Sequence, residues 1–195
     1  MKKFLFLLFV FLLSSCKPDK IFILVEPGKA EVEKMYSVET KKNWSQFQNK
    51  EFNFIFWTVN GYSLERIVFF RPISDNESLY DHNSMFTRED EKRPIFNSEM
   101  NKFEIKEFFE NCILWSRRLT KIKSTNFKNY KIDNIDGITF DINGQSEMGL
   151  NYKGFVVAGV KDKELYLVYF IASEMEFYPR YIEEAKKIIS SLTFL

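Results

Sequence analysis

The chain has 195 residues, with 28 Lys and Arg against 27 Asp and Glu and a formal charge of +1 at pH 7. That balance lacks the basic excess by which proteins grip nucleic acid, and the length suits one domain with a real core better than two. Two Cys and one His supply neither a disulfide framework nor the three or four ligands of a zinc site, and the 22 Phe read as packing material, not as a ligand pocket.

Lys2 and Lys3 open the chain, an unbroken apolar run follows from Phe4 to Leu13, and small residues Ser14 and Ser15 precede Cys16. Ten apolar residues rising about 1.5 Å each cover roughly 15 Å, half a hydrocarbon core, so the run is too short to span a membrane and fits the h-region of a signal peptide. Leu13-Ser14-Ser15-Cys16 resembles the lipobox of bacterial lipoproteins. The resemblance implies cleavage between Ser15 and Cys16, a diacylglyceryl group on the Cys16 thiol, and acylation (palmitate) of the freed amine. The competing reading is an ordinary signal peptide with an incidental cysteine. Under the lipoprotein reading the mature protein is held in the cell envelope by lipid on Cys16, with no spanning helix. Lys17, where a retention signal of this kind would carry Asp, favours the outer membrane facing the periplasm over the inner membrane if the host has two. Loss of residues 1–15 removes Lys2 and Lys3, leaving 26 basic against 27 acidic residues and a charge of −1. It also leaves Cys112 as the one free thiol, so no intramolecular disulfide forms.

Residues 16–34 read as the lipidated Cys and a tether, with 21–25 as a candidate first strand, and 35–195 as a single α+β domain. If the strand at Ile21 forms, the tether holds the domain within about 14 Å of the bilayer. Phe52 to Thr58 and Leu64 to Phe70 flank Val59-Asn60-Gly61-Tyr62, a hairpin signal. Residues 72–99, rich in Ser, Asp, Asn and Glu and bracketed by Pro72 and Pro94, read as a long loop. A helix follows: Ile105, Phe108, Phe109, Cys112, Trp115 and Leu119 form one apolar stripe, Asn101 caps it with Glu104 reaching back, and Met100 and Ile105 sit at the staple positions. Cys112 on that stripe faces the core as a small hydrophobe. Ile122 to Tyr130, carrying Lys121, Lys123 and Lys128 around it, reads as a charge-defended edge strand. Tyr130 to Ile142, Tyr152 to Val160 and Leu165 to Ala172 read as a meander separated by Asp-Gly, Asn-Gly and Lys-Asp-Lys turns. The first has one wet face, Thr139 and Asp141 alternating with Ile138, Phe140 and Ile142; Phe155 to Val160 and Leu165 to Ala172 are apolar at nearly every position and belong at the centre of the sheet. The last helix places Tyr178, Tyr181, Ile182, Ala185, Ile188, Ile189 and Leu192 on one face, with Glu183, Glu184, Lys186 and Lys187 largely on the other and Pro179 in its first turn.

This order, hairpin, helix, meander and a terminal helix ending Ile188-Ile189-Ser190-Ser191-Leu192, resembles the PsbP/Mog-like α-β-α sandwich. Trp57-Thr58-Val59-Asn60-Gly61-Tyr62-Ser63-Leu64, Tyr152-Lys153-Gly154 and Glu164-Leu165-Tyr166-Leu167 also resemble a family of uncharacterised bacterial lipoproteins. The resemblance implies an antiparallel sheet covered by two or more helices and a non-catalytic accessory or binding role; it carries no catalytic residues.

Chemistry is sparse. Asp81-His82-x-Ser84 places acid, imidazole and hydroxyl together in the long loop, but sequence neighbours rarely meet as a triad and no nucleophile-elbow motif is present. Asp75, Glu77 and Asp81, and Asp133, Asp136 and Asp141 around Gly137, raise calcium, yet an EF-hand with Gly137 as sixth residue would need Ile132 as its first ligand. Turn chemistry and solvated charge account for both groups. Arg117, Arg118, Lys121, Lys123, Lys128 and Lys131 form a basic patch suited to helix-end and edge-strand duty, or to docking on anionic lipid or an acidic polymer. Trp44, Trp57, Tyr62 and Tyr152 beside Arg66 are either core pairs or a binding cleft, of which Trp57, Tyr62, Arg66 and Tyr152 are the candidate ligand contacts. The expectation is a membrane-held envelope lipoprotein that binds or assembles with an envelope protein or glycan, without catalytic residues, cofactor, metal or nucleic acid. The alternatives are an envelope hydrolase using carboxylates such as Asp75, Asp81 or Asp136, and a purely structural surface lipoprotein.

Overall fold

Alternation along the strands divides the interior into two cores, one on each face of a single large sheet. The computed structural model describes residues 20–80 and 92–195; the signal segment with Ser15 and Cys16, and Asp81, His82 and Ser84, lie outside them. In chain order the elements are β1 (Lys20–Val25), β2 (Gly28–Val32), β3 (Tyr36–Thr40), β4 (Trp44–Asn49), β5 (Phe54–Thr58) and β6 (Glu65–Phe70), then α1 (Lys102–Trp115), β7 (Lys121–Ile132), β8 (Ile135–Gln145), β9 (Asn151–Lys161), β10 (Glu164–Ser173), α2 (Phe177–Ser190) and β11 (Thr193–Phe194). The main sheet is ordered β1-β4-β5-β6-β10-β9-β8-β7, with every neighbouring pair antiparallel, and β2, β3 and β11 form a small second sheet.

On β10, Leu165, Leu167, Tyr169 and Ile171 enter one core, beneath α1, while Val168, Phe170 and Ala172 enter the other, beneath α2 and the small sheet. The period of two puts successive side chains on opposite faces, so a strand apolar at every position is covered on both sides. β6 is buried at all six positions and β10 pairs with it at the middle of the sheet, as expected for strands without a wet face. β7 is an edge strand with Lys121, Lys123, Lys128 and Lys131 exposed. Its ladder slips at a bulge between Thr125 and Lys128, where Asn126 adopts φ 53° and donates to Asp141 at 2.6 Å. Charge and bulge together make it a poor template for another strand.

α1 begins as its sequence dictates: the Asn101 side chain accepts from the amides of Phe103 and Glu104, and Glu104 Oε2 accepts from Asn101 N at 2.7 Å. It ends at Trp115, earlier than the apolar stripe reaching Leu119 implies; Ser116 is the C-cap, Arg117 turns left-handed at φ 52°, and Leu119 enters the core from the connecting segment. The β5–β6 hairpin forms as expected, and the β9–β10 turn places Asp162 and Lys163 at φ 52° and 66°, the left-handed pair of a type I′ turn.

Four expectations are corrected. Asp136-Gly137 and Asn143-Gly144 lie inside β8, not in turns: a β-carbon on Gly137 would overlap the Ala158 carbonyl, and one on Gly144 would overlap the Leu119 side chain, so these glycines serve close packing. The stretch 26–34, expected as tether, carries β2 and its turn into β3, and the expected strand at 21–25 is β1, paired with β4 along its whole length. Glu184, expected on the polar face of α2, is buried, its Oε1 accepting from Lys41 N at 2.8 Å and Thr40 Oγ1 at 3.4 Å, because the end of β3 needs an acceptor there. The 72–99 segment, read as a polar loop, buries Ile73, Leu79, Tyr80 and Phe96 among its described residues and pairs Ile73 with Leu165.

Candidate functional site

The four residues singled out as ligand contacts fall on both faces of the sheet. Trp57 is in the core beneath α2, its indole N–H donating to Gln46 Oε1 at 2.8 Å, and Trp44 lies in the same core, edge-on to Tyr181. Tyr62 and Tyr152 belong to the α1 core, and Tyr152 donates to the Ser63 carbonyl at 2.8 Å. Arg66, 5% exposed, stacks on Tyr62 with its guanidinium carbon 4.2 Å from the ring centre and Nη1 donating to the Tyr62 carbonyl at 2.7 Å. The structure thus gathers Tyr62, Arg66 and Tyr152 and leaves Trp57 across the sheet.

The member of this cluster that sequence reasoning missed is Arg118. Placed by its neighbours in the basic patch, it instead folds inward: its guanidinium lies 4.2 Å from the Tyr80 ring centre, 5.1 Å from Phe54 and 5.6 Å from Tyr62. No local signal marked it, because the helix end at Trp115 that lets residue 118 turn inward is hidden by an apolar stripe that continues to Leu119. Arg66 Nε, Arg118 Nε and the Tyr62 hydroxyl are shielded from solvent without a hydrogen-bond partner, and among the described residues neither arginine makes an ion pair. Loss of hydration pulls the Arg118 pKa below its ordinary value, opposed by Tyr169. Cation–π contacts return about 0.5–2 kcal/mol each, while taking an ion out of water costs several, so the rings only partly offset the burial of two like charges. Glu65, next in sequence to Arg66, is spent elsewhere: its Oε1 accepts from Val59 N and Asn60 N, both at 2.7 Å, fixing the β5–β6 turn.

Burial pushes the Cys112 thiol up to about 12, with Ser78 Oγ at 3.6 Å from Sγ and lowering it slightly. That is an inert core thiol. Asp75 accepts from Ser98 N at 2.5 Å and Ser98 Oγ at 3.1 Å, tying the two described ends of the long loop together, and Asp136 stands exposed on β8. Among the described residues no three His, Cys, Asp or Glu side chains come together as a metal site. Two of the open grooves among the described residues lie near the candidate residues. One of about 820 Å³ runs past Arg117, Thr120 and Glu147 at the end of α1. The other, about 700 Å³, lies between α2 and the β7–β9 strands, floored by Tyr130, Phe155 and Val157 and edged by Asp141, Glu183 and Lys187; the wet face of β8 opens into it.

No protein-family profile matches the chain, and no curated protein matches it. Among solved structures, a Bacteroides thetaiotaomicron protein is similar at 12% identity and a TM-score of 0.49 over 88% of this chain, which spans only 49% of that one. The solution structure of the cyanobacterial PsbP protein CyanoP from Synechocystis is similar at 9% identity and a TM-score of 0.52, covering 94% of this chain and 99% of that one. The antiparallel sheet with α1 on one face and α2 on the other is therefore the PsbP-like α+β fold.

Proposed function

We propose that the chain is a lipid-anchored protein of the cell envelope that serves as a non-catalytic binding or assembly module. The observation that carries this reading is the distance in sequence between anchor and fold: Cys16 of the lipobox-like Leu13-Ser14-Ser15-Cys16 stands four residues before Lys20, where β1 begins. Three intervening residues leave no room for a further domain, so the tether serves only to hold the fold at the membrane, within about 14 Å of it. Among the described residues no helix is long and apolar enough to cross a membrane, which is compatible with attachment through lipid. Lys17 favours the outer membrane facing the periplasm in a host with two membranes. The non-catalytic part draws support from how one acid–base candidate is used: Asp75 is engaged with Ser98.

The test is Cys16→Ser in the full chain, followed by fractionation and N-terminal mass. Wild type should sediment with membranes and carry lipid on Cys16, and the variant should not. A variant that stays in the membrane fraction after signal cleavage overturns the anchor.

A further inference from the structure

The two edges of the main sheet are defended in opposite ways. β7 exposes Lys121, Lys123, Lys128 and Lys131, whereas β1 reads Lys20-Ile21-Phe22-Ile23-Leu24-Val25 and has no charge after its first residue. On β1, Phe22 is 67% exposed, Leu24 62% and Ile23 40%. An edge strand of this composition invites aggregation in a freely soluble protein. Phe22 is also held in place, its ring centre 4.9 Å from that of Phe47, which in turn stacks on Phe56 at 4.9 Å. The exposed ring is the end of an ordered aromatic row.

We propose that β1 is a second membrane contact, with Phe22, Ile23 and Leu24 seated among the lipid headgroups and upper acyl chains beside the anchor. The proposal rests on the lipid-anchor reading. What selects a bilayer over a partner strand is the arrangement of the apolar groups: Phe22 and Leu24 lie on one face of the strand and Ile23 on the other, because successive side chains alternate. A strand added to the edge covers the backbone and leaves both faces wet, whereas a lipid surface covers the edge and both faces at once. The outer edge amides of β1, which no described strand pairs, fix the depth. They need water, so the strand lies at headgroup level and does not enter the hydrocarbon core. The four-residue separation from Cys16 brings its first residue there without any reach, and an acyl anchor joined to a second, protein-borne contact is the combination that makes attachment lasting.

The experiment uses the full-length lipoprotein reconstituted into phosphatidylcholine/phosphatidylglycerol vesicles, with an environment-sensitive fluorophore on Phe22→Cys, and in a second protein on Leu24→Cys. Lys128→Cys on the opposite edge is the reference. Positions 22 and 24 should emit to the blue of position 128 and resist iodide quenching about tenfold better, as groups withdrawn from water do. Vesicle-bound protein in which positions 22 and 24 are as wet as 128 overturns the proposal. So does a dimer in detergent micelles that disappears with Phe22→Asp, which would give the surface to a second copy. A chain without lipid on Cys16 by intact mass fails the anchor reading and this proposal together; lipidated protein with a wet β1 fails this proposal alone.

Discussion

At Gly154 the sheet leaves no room for a side chain: a β-carbon there would overlap the Phe170 carbonyl across the β9–β10 ladder. Residues of this kind explain why the Asp-Gly and Asn-Gly pairs misled a turn-based reading, since glycine chosen for close approach and glycine chosen for positive φ look alike in sequence. Cys112 was legible for the opposite reason. Its place on an apolar helical stripe suffices to bury it, and it is fully buried with its thiol pushed up to about 12. In the native protein Cys112 should not react with an aromatic disulfide reagent over hours at pH 8, and should react completely in guanidinium chloride; rapid native labelling would contradict its placement. Arg118 shows what one residue's sequence context hides. Five basic neighbours suggested a solvated patch, but the chain reverses after Arg117 and lays Arg118 across Tyr80 and Phe54.

Elements differ in how much of them is local. The start of α1 is written in Asn101 and Glu104, whose reciprocal bonds satisfy two orphan donors. Asn101→Ala should cost about 1 kcal/mol, read as a lower urea midpoint at unchanged slope; an unchanged midpoint would mean that tertiary packing alone fixes the helix start. Its end is not written there, because the apolar stripe continues to Leu119 while the helix stops at Trp115, and the choice between one more turn and an αL reversal depends on where the β7 strand must begin. The same holds for β2: Gly28-Lys29-Ala30-Glu31-Val32 is polar enough to pass for a tether, and becomes a strand only because β3 lies beside it. β7, by contrast, declares its edge position directly by its lysines.

At the scale of the molecule, two aromatic cores on either side of one sheet withdraw several titratable groups from water. Burial raises the pKa of Tyr36 and Tyr80 as well as that of Cys112. Each therefore binds its proton more tightly folded than unfolded, so their contribution to stability is full below the unfolded values, near 9 for the thiol, and is lost as pH rises through the folded ones. Unfolding free energy measured by urea between pH 8 and pH 12 should fall steadily; a flat profile would mean that these groups reach water in the folded state. The sequence by itself determined the α+β class, the wet and dry faces of the meander, the charged edge and the helix cap, because each is a local pattern of period, charge or capping. Only the tertiary structure decided that the candidate contacts Trp57 and Tyr62 lie on opposite faces, that Arg118 joins Arg66 among the tyrosines, that Glu184 turns inward and that Gly28–Val32 joins the fold as β2. Each of these depends on which strands become neighbours, and pairing between segments far apart in the chain leaves no mark in the residues of either one.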